Sequence, residues 1–269
     1  MTVEQSYILT DTGKDAESVR LTLLEAWRDP GTIRRLEGLG ITPGSRCLEV
    51  GAGRGSIARW LGDRVGMGSA VVAADIDTRF LTGLPGNVEV RELDIRHDDL
   101  EPGRYDLVHC RMLLGHLPDP LAVLTRLATA LRPGGVLLAE EVDDRMYRFF
   151  GHPDADRATD CWRRQAEGMR AAGIADTALG VRLPGLLVDA GLTLTGGELE
   201  GGIARPGEPA YEWWRLSLES MTPAFIAAGF STEDDHARVT RVLGGRDTRW
   251  MGPTLVSVWG RRPGGSASD

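Results

Sequence analysis

Short apolar runs alternate along the chain with stretches in which apolar side chains recur every three or four positions. Asp15 to Arg28 carries Val19, Leu21, Leu23, Leu24 and Trp27 at helical spacing, and a second helix is predicted from about Pro30 to Leu39. Gly40-Ile41-Thr42-Pro43-Gly44 breaks that pattern. Arg46-Cys47-Leu48-Glu49-Val50 then reads as a strand ending in Gly51-Ala52-Gly53-Arg54-Gly55, followed by Ile57, Ala58, Trp60, Leu61 and Val65 at helical period. Strand, glycine turn and helix in succession make half of a parallel crossover unit.

The rhythm continues. Ser69 to Asp75 is a buried-strand run with a helix predicted around Phe80 to Leu84. Val88 to Leu93 alternates as a third strand leading to Asp94-Ile95. Tyr105 to Cys110 is a fourth strand, Pro120 to Leu131 a helix closed by Arg132-Pro133-Gly134-Gly135, and Val136 to Glu140 a fifth strand. Such alternation predicts a doubly wound parallel sheet, with ligands beyond the carboxyl ends of its strands. After Val142 the pattern becomes irregular: helices are predicted over 155–172, 180–190 and 208–244, and strands over 191–195 and 254–260.

Composition narrows the class. The 269 residues are 42% hydrophobic and 26% charged, the balance of a globular protein rather than a disordered or fibrous one. A net charge of −8 advertises no nucleic-acid surface. Cys47, Cys110 and Cys161 are odd in number and far apart, so neither a disulfide framework nor a metal knuckle is expected. No secretory leader is visible from Met1 to Ser6, and no run approaches the ~20 apolar residues of a membrane helix. A reduced, cytoplasmic protein follows as the expectation.

The most informative stretch is Glu49-Val50-Gly51-Ala52-Gly53-Arg54-Gly55. Glycines at a strand's end let backbone approach a ligand, and the next helix offers N–H groups to negative charge. The dinucleotide pattern would place its third glycine where Ser56 stands. Glu49 would also meet a pyrophosphate unfavourably, but an ammonium or sulfonium well.

These residues, with Asp75 ending strand two, Asp94-Ile95 ending strand three and Leu131 to Gly135 before strand five, resemble the class I S-adenosylmethionine-dependent methyltransferases of small-molecule type. The resemblance covers Arg46 to Val142, and Gly252-Pro253-Thr254 to Gly260 fits that family's reversed last strand. It implies an α/β fold, a Rossmann-like doubly wound seven-stranded sheet with a reversed last strand and helical cap insertions. The implied domains are an N-terminal lid (1–40), the cofactor core (41–142), caps (143–175 and 201–250), the rest of the sheet (176–200 and 251–262) and a disordered tail (263–269).

Carried over residue by residue, Gly51, Ala52 and Gly53 would line the methionine part of the cofactor and Glu49 would reach its amino group. Asp75 would accept the ribose hydroxyls, with Asp77 as the rival, and Ile76 would pack on the adenine. Asp94 would take the adenine amine, with Asp98 and Asp99 as rivals, and Ile95 would stack. Arg111 is read either as a partner of the methionine carboxylate or as a surface salt bridge. Tyr7 and Arg20 resemble a family lid that meets the same carboxylate.

Methyl transfer needs alignment and exclusion of water, and a base only for a protonated acceptor. His116 is the best single base, against a purely structural role; His152 is weaker. Glu140, Glu141, Asp143 and Asp144 cluster at the end of strand five, and which of them meets substrate is unreadable. Asp143, Met146, Phe149, Trp162 and Trp213 are expected to bind substrate, in an aromatic cap suited to a flat or greasy molecule. His97 and His109 have no partner at metal spacing, so no metal is predicted. After strand four stands His109-Cys110-Arg111-Met112, not the Asn-Pro-Pro-aromatic motif of amino-base and glutamine methyltransferases.

The function expected is methylation of O or N on a small aromatic or hydrophobic molecule, in secondary metabolism, with S-adenosyl-L-homocysteine as cofactor product. Neither nucleic acid nor membrane is an expected partner, and a homodimer stays open. A second reading is a relative that binds the cofactor but catalyses a cyclisation or decarboxylation; a third is a nicotinamide oxidoreductase.

Overall fold

Strands apolar on both faces need helices on both sides, and that requirement shapes the molecule. A computed structural model describes residues 14–264. In chain order these form α1 (Lys14–Gly38), β1 (Cys47–Val50), α2 (Ser56–Val65), β2 (Val71–Asp75), β3 (Val88–Glu92), β4 (Tyr105–Arg111), α3 (Pro120–Ala130), β5 (Leu131–Asp143) and β6 (Arg148–Phe150). There follow α4 (Ala155–Ala171), α5 (Leu183–Asp189), β7 (Thr193–Glu200), β8 (Ile203–Ala204), α6 (Pro209–Ala227), α7 (Glu233–Leu243), β9 (Arg249–Met251) and β10 (Thr254–Arg261). Seven strands make one sheet in the order β3-β2-β1-β4-β5-β10-β7. All are parallel except β10, which runs antiparallel to β5 and β7. The doubly wound sheet with a reversed last strand is therefore present as predicted.

Alternation divides the sheet between two cores. Leu48, Val72, Val108 and Leu137 pack towards Leu124 and Leu127 of α3 and Leu183 and Leu187 of α5. Cys47, Val71, Leu107 and Leu138 face the other way, towards Leu36 of α1 and Ile57, Leu61 and Val65 of α2. Among the described residues no helix is long and apolar enough to cross a membrane.

Three expectations change. The two predicted N-terminal helices are one, running through Pro30. Proline removes an intrahelical bond, but side chains around it are tied to the sheet. Arg28 Nη2 donates to Pro253 O at 3.0 Å, and Thr32 and Arg35 both donate to Glu140. This helix is more than a lid, because Leu36 lies in the sheet core while Leu23, Leu24 and Trp27 pack on the cap. The helix predicted near Phe80 is only a short 3-10 turn, Thr78–Phe80, since Gly83 and Pro85 leave it no room to extend. The two cap insertions share one core and one small sheet, β6-β9-β8, with Phe149 and Ala204 both paired to Trp250. Strands of two or three residues are too short to show a period. Of the expected tail, residues 265–269 lie outside the described residues.

Candidate active site

The turn after β1 is built from backbone. Gly51 and Ala52 both donate to Ala74 O, at 2.9 and 3.2 Å, which folds the chain over the end of β2. Gly51, Gly53 and Gly55 all take positive φ, +73°, +57° and +77°. A Cβ at Gly55 would come within 2.9 Å of Leu84, whereas one at Gly53 would meet no atom of the described residues within 4 Å. The backbone conformation favours glycine at all three positions, the third packed against leucine side chains and the second bordering open space.

Asp75 grips this turn. Its Oδ2 accepts from Gly53 N at 2.8 Å and its Oδ1 from Asp77 N at 3.0 Å, while burial raises its pKa against those hydrogen bonds. Asp77 is otherwise engaged: it caps the 3-10 turn through Arg79 N and pairs with the Arg79 side chain. Ile76 between them is 61% exposed and offers an apolar face. The third-strand acid differs from expectation. Asp94 is clasped by Arg96 Nε and Nη2, whose hydrogen bonds hold its pKa down to about 2. Asp98 Oδ2 accepts from the Asp94 backbone at 2.7 Å. Ile95 is 4% exposed within the α3-side core, so its side chain has no face left for a ligand. Following the tight turn after β3, it points inward.

On the α1 face the strand ends carry polar groups. Glu49 Oε1 lies 3.6 Å from His109 Nδ1, and His109 Nε2 lies 3.2 Å from Glu140 Oε2. Among the described residues Glu49 Oε2 is buried and makes no hydrogen bond. Arg111 neither stands on the surface nor points at an open site: it donates to Asp29 Oδ1 and Thr32 Oγ1 at 2.8 and 2.9 Å, fastening β4 to α1. Arg20 is buried and paired with Glu17 at 2.6 Å. Tyr7 lies outside the described residues.

The turn after β4 hangs from Glu141. Its Oε1 accepts from Leu113 N at 2.8 Å and Leu114 N at 2.6 Å. Ahead of them Met112 adopts φ +52°, a conformation costing a non-glycine residue about 1–3 kcal/mol, and its N–H reaches Glu140 O at 2.8 Å. His116 stands on this turn, exposed by area yet crowded by protein: desolvation, with the Arg20 charge behind it, pushes its pKa down to about 4. It is therefore neutral at pH 7, the form a base requires. Burial pushes Glu141 up to about 7, against its backbone donors. Its folded pKa thus exceeds its ordinary 4.5, so the folded protein binds more proton in between, and stability falls as pH rises towards 7. Urea unfolding of the wild type from pH 5 to 8 should show that decline, and Glu141→Gln should flatten part of it; an unchanged slope would refute the assignment.

The remaining β5 acids serve structure. Asp143 is 5% exposed, held by Arg145 Nε at 2.8 Å and Val181 N at 3.2 Å, and so is not free for a substrate. Asp144 accepts from Thr177 and Trp162. Of the expected substrate residues, Phe149, Trp162 and Trp213 are core. Trp162 meets Trp214 edge-on at 4.5 Å, Phe149 meets Tyr147 at 5.5 Å, and Trp213 meets Trp27 at 5.3 Å. Aromatic rings at helical spacing bury one another before they serve a ligand. Met146, 61% exposed, is the one of this group left on the surface. His152 Nδ1 accepts from Asp154 N and shapes the loop before α4. A cleft of about 290 Å³ opens between α1 and the cap, lined by Trp27, Ile203, Ala204, Pro209 and Trp250.

His109, Thr32 and Arg35 escaped sequence reasoning as site residues, and Glu140 was legible only as one of the strand-five acids. Their signal is a polar side chain closing the same apolar alternation in three strands: Leu107/His109, Cys47/Glu49 and Leu138/Glu140. It becomes visible only when β1, β4 and β5 are known to be neighbours.

The donors and acceptors fit a nucleoside bearing an amino acid. Open space at Gly53 meets a strand-end carboxylate suited to two hydroxyls, and an unpaired buried carboxylate oxygen calls for an ammonium. A family model described as a methyltransferase domain matches residues 24–176. The ubiquinone biosynthesis O-methyltransferase of Xanthomonas campestris pv. campestris is 35% identical over 103 residues, covering 35% of this chain and 42% of that one. The chain therefore spans less than half the length of that curated relative. Phosphoethanolamine N-methyltransferase 2 of Haemonchus contortus, solved with S-adenosyl-L-methionine, superposes with a TM-score of 0.57 at 17% identity, over 97% of this chain and 60% of that one. The 4+2 cyclase SpnF superposes with a TM-score of 0.51 at 18% identity, over 84% and 77%. Both structures share the fold. With the matched segment taking in the glycine turn, the strand-end acids and the β4 turn, the chain belongs to the methyltransferase-domain family.

Proposed function

We propose that this protein transfers a methyl group from S-adenosylmethionine to an oxygen or nitrogen of a small, hydrophobic or aromatic molecule. The observation that carries this reading is the pairing of Asp75, which braces the open glycine turn, with the spare oxygen of Glu49 on the neighbouring strand. When bound, the cofactor supplies an electrophilic methyl on a sulfonium. The chain's own part is to bind the ribose at Asp75, orient the amino acid end at Glu49, and exclude water beneath the cap. Met112 and the turn held by Glu141 bring His116 to the carboxyl end of β4, where its neutral imidazole can take the proton of a hydroxyl acceptor. The apolar cleft beside Trp27 and the O-methyltransferase relative support a hydrophobic acceptor. The fold shared with a cyclase supports a second reading, cofactor binding with a different reaction.

Methyl-tritiated S-adenosylmethionine with a panel of small phenols and amines separates these readings. Label in an acceptor is the expected result; saturable S-adenosylhomocysteine binding without transfer to any acceptor favours the second reading. Preference for NADH over S-adenosylhomocysteine would sink both. His116→Ala should lower turnover of a hydroxyl acceptor about 10²–10⁴-fold while leaving S-adenosylhomocysteine affinity intact. An unchanged turnover removes the base role.

A further inference from the structure

Beneath α1 a buried row of ionisable groups crosses the sheet, and the candidate cofactor acid is its first member. Glu140 is held from several sides: Thr32 donates to Oε2 at 2.6 Å, and Arg35 and Ser257 donate to Oε1 at 2.9 and 2.7 Å. So held, it presents Oε2 to His109 Nε2 at 3.2 Å. The other ring nitrogen faces Glu49 Oε1 at 3.6 Å. His109 and Glu140 are at most 1% exposed and Glu49 is 5% exposed. A neutral imidazole has one N–H and serves one carboxylate; only the doubly protonated ring serves two. Burial opposes that charge, but the hydrogen bond to Glu140 and the nearby Glu49 carboxylate outweigh it and set the His109 pKa above its ordinary value; at 3.6 Å the Nδ1 contact to Glu49 is an ion pair rather than a hydrogen bond.

The other charges packed around the row are already matched. On α1, Arg35 pairs with Glu198 and Glu200 of β7 as well as with Glu140, and Arg28 lies 3.8 Å from Glu200. On β4 itself, Arg111 is matched by Asp29. Among the described residues, His109 is the group that forms an ion pair with Glu49.

We propose that His109 is a positioning residue for the cofactor: as an imidazolium anchored on Glu140, it draws Glu49 Oε1 towards its Nδ1 and so leaves Oε2 for the ammonium of the methionine moiety. The inference rests on the S-adenosylmethionine reading of the site. It goes beyond that reading by giving the cofactor acid a second, proton-dependent partner.

Calorimetry with S-adenosylhomocysteine across pH 6–8.5 tests this. Wild-type affinity should be highest at pH 6 and fall as pH rises and the His109 ring loses its second proton. His109→Gln should bind about tenfold more weakly than the wild type at pH 6, the gap narrowing towards pH 8.5, and in a Glu49→Gln background the same change should have no effect. An affinity that is unchanged, or reduced equally at every pH, overturns the positioning role. If His109→Gln does not fold, the wild type decides: in ¹⁵N-histidine-labelled protein with S-adenosylhomocysteine, both His109 ring nitrogens should carry protons at pH 7, and a neutral ring overturns the proposal. Failure of the wild type to bind S-adenosylhomocysteine would overturn the cofactor reading, and this proposal with it. Binding together with a neutral His109 overturns this proposal alone.

Discussion

Glu140→Ala is expected to cost about 3–5 kcal/mol of folding free energy at pH 7, the range for removing one partner of a buried ion pair. A typical domain has about 5–15 kcal/mol in all, so much of the population would sit close to unfolding. The cost arises from what is left behind. His109, with a side chain 1% exposed, would lose its hydrogen-bonded acceptor, Arg35, equally buried, would keep only Glu198 and Glu200, and Thr32 and Ser257 would lose a hydrogen-bond partner. The effect should reach α1 as a whole, because Thr32 and Arg35 anchor the part of the helix that follows Pro30, a residue that already lacks a helical bond. Burial would raise the Glu140 pKa, but His109, Thr32 and Arg111 pull it down to about 2, below its ordinary 4.5. A depressed carboxylate contributes its full stability above 4.5 and loses it as pH falls towards 2. Urea unfolding at pH 7 and pH 3 should therefore show a smaller gap between variant and wild type at the lower pH. A loss under about 1 kcal/mol at pH 7 would contradict the network.

Asp75→Ala should weaken S-adenosylhomocysteine binding by about 3 kcal/mol, or more than a hundredfold. Two effects add. The carboxylate that would accept two ribose hydroxyls is gone, and hydrogen bonds to a charged acceptor contribute about 1.5–3 kcal/mol each. The glycine turn also loses its brace, since Gly53 N and Asp77 N both donate to Asp75. Asp75→Asn separates the two, because it keeps an acceptor for Gly53 but not a charged pair of acceptors; an intermediate affinity is expected. Calorimetry reads both variants. Full affinity in Asp75→Ala would move the ribose site to Asp77, whose carboxylate would then have to release Arg79.

The same residues show why some of the site was legible and some was not. Gly51, Gly53 and Gly55 announce a left-handed turn because no other residue adopts one cheaply, and the structure has all three at positive φ. Asp75 was readable as the end of a buried run. The cap was not readable in this way. Phe149, Trp162 and Trp213 have the size and polarity of ligand-lining residues, but those are also the properties that make them pack on Tyr147, Trp214 and Trp27. Arg111 and Asp94 looked available to a ligand because their partners, Asp29 on α1 and Arg96 two residues on, leave no mark in a hydropathy pattern.

Sequence alone determined the features that depend on neighbours in the chain: the alternation of strand and helix, the glycine turn and the acid at the end of β2. Each follows from backbone geometry and periodicity over a few residues. Tertiary structure decided the continuity of α1 through Pro30, the single core of the two cap insertions, and the row from Glu49 through His109 to Glu140 and Ser257. Strand order is the reason. β1 lies beside β4, β4 beside β5 and β5 beside β10, so carboxylates and an imidazole distant in the chain share one dry sheet face. There, low polarity makes their mutual charge balance matter far more than it would in water.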